Sequence, residues 1–115
     1  MWVQTLVLAL LLVCSHTSIA DELVEALTEY AKHEYPRSIE LLAPLANNGN
    51  AVAQLTIGRA YAKGLGVPKN RFKALNWLAL AAEQGQTEAQ YELGTKYRDG
   101  VGIAADGNQA IYWFQ

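Results

Sequence analysis

From Ala53 to Trp77 the chain sets out a pattern of alanines, glycines and aromatics that it sets out again from Ala89 to Trp113. A shift of 36 residues brings eight identities into register: Ala53/Ala89, Gln54/Gln90, Gly58/Gly94, Tyr61/Tyr97, Gly64/Gly100, Gly66/Gly102, Ala74/Ala110 and Trp77/Trp113. Ile57/Leu93, Leu65/Val101, Val67/Ile103, Asn70/Asp106 and Leu75/Ile111 exchange like for like. A fixed period of a few tens of residues marks a stack of supersecondary units, none of which can bury its apolar face alone. At 115 residues the chain has room for one small domain built this way.

The local patterns are helical throughout, and no strand alternation occurs. Leu23, Ala26, Leu27, Tyr30 and Ala31 are spaced by three and four, which predicts an amphipathic helix over Asp21 to Lys32. Asp21, Glu22 and Glu25 crowd its start, where the helix dipole favours acids. Pro36 opens a second helix, at a position where its missing N–H costs little. Ile39, Leu41, Leu42, Leu45 and Ala46 line that helix, Pro44 is expected to bend it, and Asn47-Asn48-Gly49 stops it. Asn50 is a natural N-cap for a third helix running to Lys63, with Ala53, Ile57, Ala60 and Tyr61 on one face. Gly58 beside that face costs about 1 kcal/mol against Ala, and its recurrence at Gly94 points to a close helix approach. Gly64-Leu65-Gly66 makes a tight turn, and Asn70 caps a fourth helix carrying Phe72, Leu75, Trp77, Leu78, Ala81 and Ala82 to Gly85. The unit then repeats: a helix over Thr87 to Arg98, a turn at Gly100-Val101-Gly102, and Asp106 as cap with Gln109 at capping-box spacing. A last helix holds Ala110, Ile111, Trp113 and Phe114.

Residues 1–20 read as an export signal. Leu6 to Val13 is an apolar run too short to cross a hydrocarbon core of ~30 Å. Ser18-Ile19-Ala20 offers small residues where a signal peptidase reads, so cleavage is expected after Ala20, before Asp21-Glu22. No Lys or Arg precedes the run, a departure from the usual signal pattern. The location expected is periplasmic or secreted, with membrane contact only through this segment if it is left uncleaved. Cys14 is the one cysteine, so the mature chain would use no disulfide.

The motif residues resemble the Sel-one-like repeat family, short α/α units related to tetratricopeptide repeats. Residues 51–85 carry its pattern in Ala53, Gln54, Gly58, Tyr61, Gly64, Gly66, Val67, Ala74, Trp77, Ala81, Ala82 and Gly85. Residues 87–115 carry it in Ala89, Gln90, Leu93, Gly94, Tyr97, Gly100, Gly102, Asp106, Ala110 and Trp113. Residues 21–49 are a degenerate N-terminal repeat that lacks the Gly-x-Gly turn, as a capping unit would. The resemblance implies an all-α, right-handed α/α solenoid of tetratricopeptide-like hairpins, about three repeats long. Its divisions are a signal at 1–20, the degenerate repeat at 21–49, one repeat at 50–85, and an incomplete repeat at 86–115.

Most marked residues are explained by packing. Tyr61, Tyr97, Trp77 and Trp113 recur at helical positions, so they are expected in the core rather than as a ligand-stacking stripe. The Gly-x-Gly turn is copied with the repeat and is read as architecture rather than a phosphate cradle. His33 has no cysteine or second histidine after residue 20 to share a metal with. Ser38, the one serine after residue 20, has no nucleophile motif around it. No cofactor or metal is expected. A net charge of −2 sets nucleic acid aside, although residues 21–48 carry six acids against two bases and residues 49–115 five acids against seven bases.

The resemblance therefore implies a scaffold or adaptor that binds a protein or peptide on the concave face of stacked helices. First-helix positions expected to face outward there are Gln54, Leu55, Arg59, Gln90, Tyr91 and Thr95, and these are the partner-contact candidates. So short a groove offers about 800 Å² per partner. The competing reading is a cell-wall or β-lactam-directed hydrolase, which some cysteine-rich exported relatives suggest; this chain lacks their paired cysteines. A third reading is an incomplete chain without independent function, in which Ile111, Trp113 and Phe114 leave an uncapped helix open to self-association.

Overall fold

The computed structural model describes residues 18–100 together with Gln109, Tyr112 and Trp113. Within residues 18–100 the chain forms five helices: α1 (Ile19–Ala31), α2 (Tyr35–Asn47), α3 (Ala51–Lys63), α4 (Arg71–Glu83) and α5 (Thr87–Asp99). Gln109, Tyr112 and Trp113 are also helical. The apolar run at 6–13, the turn beyond Gly100 and the Asp106 cap lie outside the described residues, as do Ile111 and Phe114 and with them the expected uncapped end.

Three of the helix starts and two of the helix ends have a local cause. The side chains of Ser18, Asn50 and Asn70 accept from the backbone N–H of Asp21, Ala53 and Lys73 at 3.2, 3.0 and 3.0 Å, filling one orphan donor at each helix start. Ser18 moves the start of α1 two residues ahead of the expected Asp21. α2 continues through Pro44 to Asn47. α3 and α5 both end on a left-handed glycine, Gly64 and Gly100.

Successive helices pack side by side in chain order. The apolar interior falls into two clusters that are copies of each other. One holds Leu42, Leu45, Ala46, Ala53 and Ile57, with Ile39, Tyr61 and Trp77 packed on it. The other holds Leu78, Ala81, Ala82, Ala89 and Leu93, with Leu75 inside it and Tyr97 and Trp113 packed on it. Each of these residues of the second stands 36 positions after its counterpart in the first, while Leu55 of the second cluster and Ala26 of the first have no such counterpart. So α2 of the degenerate hairpin supplies the same surface to α3 that α4 supplies to α5.

Two glycines are required by the space around them. A Cβ on Gly58 would meet Leu78 Cγ at 3.1 Å and the Ala74 carbonyl oxygen at 3.4 Å, so α3 and α4 touch where the recurring glycine was expected to let them. Gly66 has φ +74°, and a Cβ there would stand 2.7 Å from the carbonyl carbon of Tyr35. The turn is thus pressed onto the first residue of α2, which fixes one hairpin against the next. Gly49 has φ +96° but open space around it.

Gly66→Ala is therefore expected to cost about 2–4 kcal/mol, from left-handed strain together with the backbone clash. Gly49→Ala carries only the strain, about 1–2 kcal/mol. Urea unfolding monitored by circular dichroism compares the two, and equal losses would contradict the packed-turn account.

Candidate functional site

The six sequence-derived contact candidates divide sharply in the structure. Gln54 and Leu55 are not on an open face: they are 4% and 3% exposed. The reason is that α3 has neighbours on two sides. Ala53 and Ile57 enter the cluster made with α2, while Leu55 enters the one made with α4 and α5. Gln54 donates to the Ala46 carbonyl at 3.2 Å, and its Oε1 accepts from Gln84 Nε2 at 2.8 Å. Gln90 repeats the first of these bonds, donating to the Ala82 carbonyl at 3.1 Å. The motif glutamine thus adds a side-chain donor to a carbonyl at the end of the preceding helix, which also accepts from the backbone N–H of Gly49 or Gly85. It is a seam residue in both repeats.

Arg59 is placed on a surface but is already engaged. Its guanidinium donates to Glu88 at 3.0 Å and bonds closely to Glu92, joining α3 to α5. Burial works against its charge, but the hydrogen bonds to Glu92 and Glu88 outweigh that and raise its pKa above the ordinary arginine value. Tyr30 of α1 lies near enough for both charges to act on its phenol. Its pKa is raised chiefly by burial and then by Tyr35, with Arg59 pulling it down and Glu92 pushing it up. Tyr30 and Tyr35 meet edge to face with ring centroids 5.2 Å apart. Side chains of α3 and α5 therefore meet along one side through arginine and glutamate, and Tyr30 of α1 lies within reach of their charges, so the three first helices form a band of tyrosine, arginine and glutamate. Tyr91 is 64% exposed on α5, and half-buried Thr95 donates its hydroxyl to the Tyr91 carbonyl at 3.0 Å. Gln90 also lines a cavity of about 360 Å³ with Ala82, Glu83, Gly85, Tyr112 and Trp113.

Tyr30, Glu88 and Glu92 were missed by sequence reasoning. The signal was present in the opposite charges of Arg59 and Glu92, 33 residues apart and so close to one repeat length. Ser38 is fully buried and donates to the Ala26 carbonyl at 2.8 Å, tying α2 to α1, so it is not placed as a nucleophile. His33 is exposed, adopts φ +65° and hydrogen-bonds the Tyr35 hydroxyl. Among the described residues no cluster of His, Cys, Asp or Glu could hold a metal, and no helix is long and apolar enough to cross a membrane.

A stack of helical hairpins with copied cores and a copied carbonyl-capping glutamine defines an all-α repeat solenoid. The family model described as Sel1 repeat matches residues 51–86 and 87–115, and the chain belongs to the Sel1 repeat family. It is similar to a Sel1 repeat protein from Oxalobacter formigenes, with 37% identity over 78% of this chain and 37% of that one, at a TM-score of 0.74. It is also similar to c5321, a protective antigen of uropathogenic Escherichia coli with an SLR fold, with 31% identity over 84% of this chain and 21% of that one, at a TM-score of 0.78. The chain thus spans well under half the length of either. No curated protein matches it. Sel1 repeats commonly act as protein-interaction scaffolds and are generally non-enzymatic.

Gln54→Ala is expected to lower stability by about 1–2 kcal/mol in urea unfolding, because it strips a buried seam of its donor. A double-mutant cycle on Arg59 and Glu92 is expected to give a coupling of about 0.5–1.5 kcal/mol that shrinks in 1 M salt. Zero coupling at low salt would contradict the cross-repeat bridge.

Proposed function

We propose that this chain is an exported binding scaffold that takes a protein or peptide segment along the band formed by α1, α3 and α5. The observation that carries the reading is the bridge from Arg59 to Glu88 and Glu92. It holds first helices of successive hairpins together and leaves Tyr91 exposed on α5, next to Glu92 and three residues from Glu88. An exposed tyrosine next to a rigid polar network is a composition favoured at interface centres. Gln54 and Leu55 take no direct part, since both are consumed in the seams. Arg59 acts by fixing the helices and presenting its acidic partners, and Thr95 by stiffening α5 under Tyr91. Family membership supports a scaffold role, and export is supported by the short apolar run from Leu6 to Val13 followed by Ser18-Ile19-Ala20.

Peptides selected on the purified mature chain from a displayed random library are the probe. Tyr91→Ala and Tyr30→Ala are each expected to weaken the selected peptide about tenfold in calorimetric titration, with thermal unfolding unchanged by Tyr91→Ala. Affinity untouched by both variants would place binding elsewhere. For export, expression of the full sequence in a Gram-negative host is expected to yield a periplasmic chain whose intact mass begins at Asp21. Retention of the uncut chain in the cytoplasm would contradict it. Cleavage there removes Ser18 and with it the cap on Asp21, leaving Asp21 and Glu22 to hold the helix start through the dipole.

A further inference from the structure

Five of the nine basic residues of the chain stand together at the turn end of the second and third hairpins. Lys69, Arg71 and Lys96 line a cavity of about 80 Å³ with Ala62 and Ala74. Lys69 and Arg71 also line, with Asn70 and Phe72, a shallower cleft of about 420 Å³. Lys63 closes α3 beside them and Lys73 lies in the first turn of α4. The remaining bases each have a carboxylate: Lys32 has Glu29, Arg37 has Glu25 and Glu40, Arg59 has Glu88 and Glu92, and Arg98 has Asp99. Among the described residues, none of the five has a carboxylate at ion-pair distance; Lys73 rests over the Tyr61 ring at 5.4 Å.

The repeat itself does not call for these charges. One period away, Lys63, Lys69, Arg71 and Lys73 correspond to Asp99, Ala105, Gly107 and Gln109, and Lys96 corresponds to Ala60. Phe72 corresponds to Asn108. Phe72 is 70% exposed, between Arg71 and Lys73 on the same rim. Packing explains residues that the two copies share. It does not explain cations and an aromatic that stand in one copy and not at the matching position of the other, gathered where like charges repel.

We propose that this rim is a docking site for an acidic peptide segment, in which carboxylates enter the Lys69–Arg71–Lys96 cavity and a neighbouring apolar side chain covers Phe72. The cavity is sized for a carboxylate group rather than a nucleobase. Five cations on a chain of net charge −2 do not make the extended basic track that a nucleic acid follows. A second copy is the poorer occupant, because in its acidic hairpin Glu25, Glu29 and Glu40 are held by Arg37 and Lys32. The site adjoins the end of the band, with Lys63 and Lys96 one helical turn past Arg59 and Glu92, but Lys69, Arg71 and Phe72 are not on α1, α3 or α5, and the inference stands whether or not that band binds anything.

The test is fluorescence anisotropy of the purified mature chain with a labelled heptapeptide, Glu-Glu-Ser-Leu-Glu-Glu-Gly, at low and physiological salt. The expected result is binding that weakens about tenfold or more as salt rises. Lys69→Gln with Arg71→Gln should weaken it about tenfold, Phe72→Ala about threefold, and Tyr91→Ala should leave it unchanged. Circular dichroism confirms that each variant is folded. The proposal is overturned by absence of binding at millimolar chain, by equal affinity of the Lys69→Gln/Arg71→Gln variant, or by tighter binding of a single-stranded oligonucleotide of the same charge. Salt-sensitive self-association abolished by the same pair of substitutions would also overturn it, in favour of a second copy.

Discussion

A helical hairpin of this size has one good apolar face and nothing of its own to cover it. Everything else in the structure follows from covering that face with the next hairpin. Ala53 and Ile57 of α3 close over Leu42, Leu45 and Ala46 of α2; Ala89 and Leu93 of α5 close over Leu78, Ala81 and Ala82 of α4. The small alanines bring the helices near, and Gln54 and Gln90 use that nearness to reach the last carbonyls of the helix before. Hydrophobic burial supplies most of the attraction, while the glutamine bonds set the register, because a buried amide left without its carbonyl is costly.

The same constraint decides what was legible in the sequence. The period, the caps at Asn50 and Asn70 and the close approach at Gly58 are statements about one hairpin, and a copied pattern states them twice. Which side of a helix a residue faces is a statement about neighbours. An inner helix such as α3 is covered from both sides, so a face that looks outward in an isolated hairpin, with Gln54 and Leu55 on it, is interior in the stack. Tyr91 holds the position of Leu55 one repeat on, yet is exposed. The Arg59 bridge was equally hidden, because it lies between repeats and not within one. Phe72 is apolar, but Asn108 one period later was the available sign that the position is not apolar in the repeat.

In an array of near-copies, agreement between copies marks what holds the stack together and disagreement marks what each unit is free to do. Trp77 with Trp113 and Tyr61 with Tyr97 fall on the first side, packed against equivalent cores. The band around Arg59 and the cationic rim around Lys69 fall on the second. The rim begins one helical turn past the bridge, at Lys63 and Lys96, so a short solenoid carries two chemically distinct patches: one aromatic and charge-balanced, the other basic.

The central claim is that stability is concentrated where a helix is covered by hairpins on both sides. Native-state hydrogen exchange measures it directly, residue by residue. The amides of α3 from Leu55 to Ala60 should be the slowest in the chain, since α3 buries seven residues whereas α1 buries only Ala26. If α1 exchanges as slowly as α3, the hairpins are stable on their own and the account of a stack held by its seams is wrong.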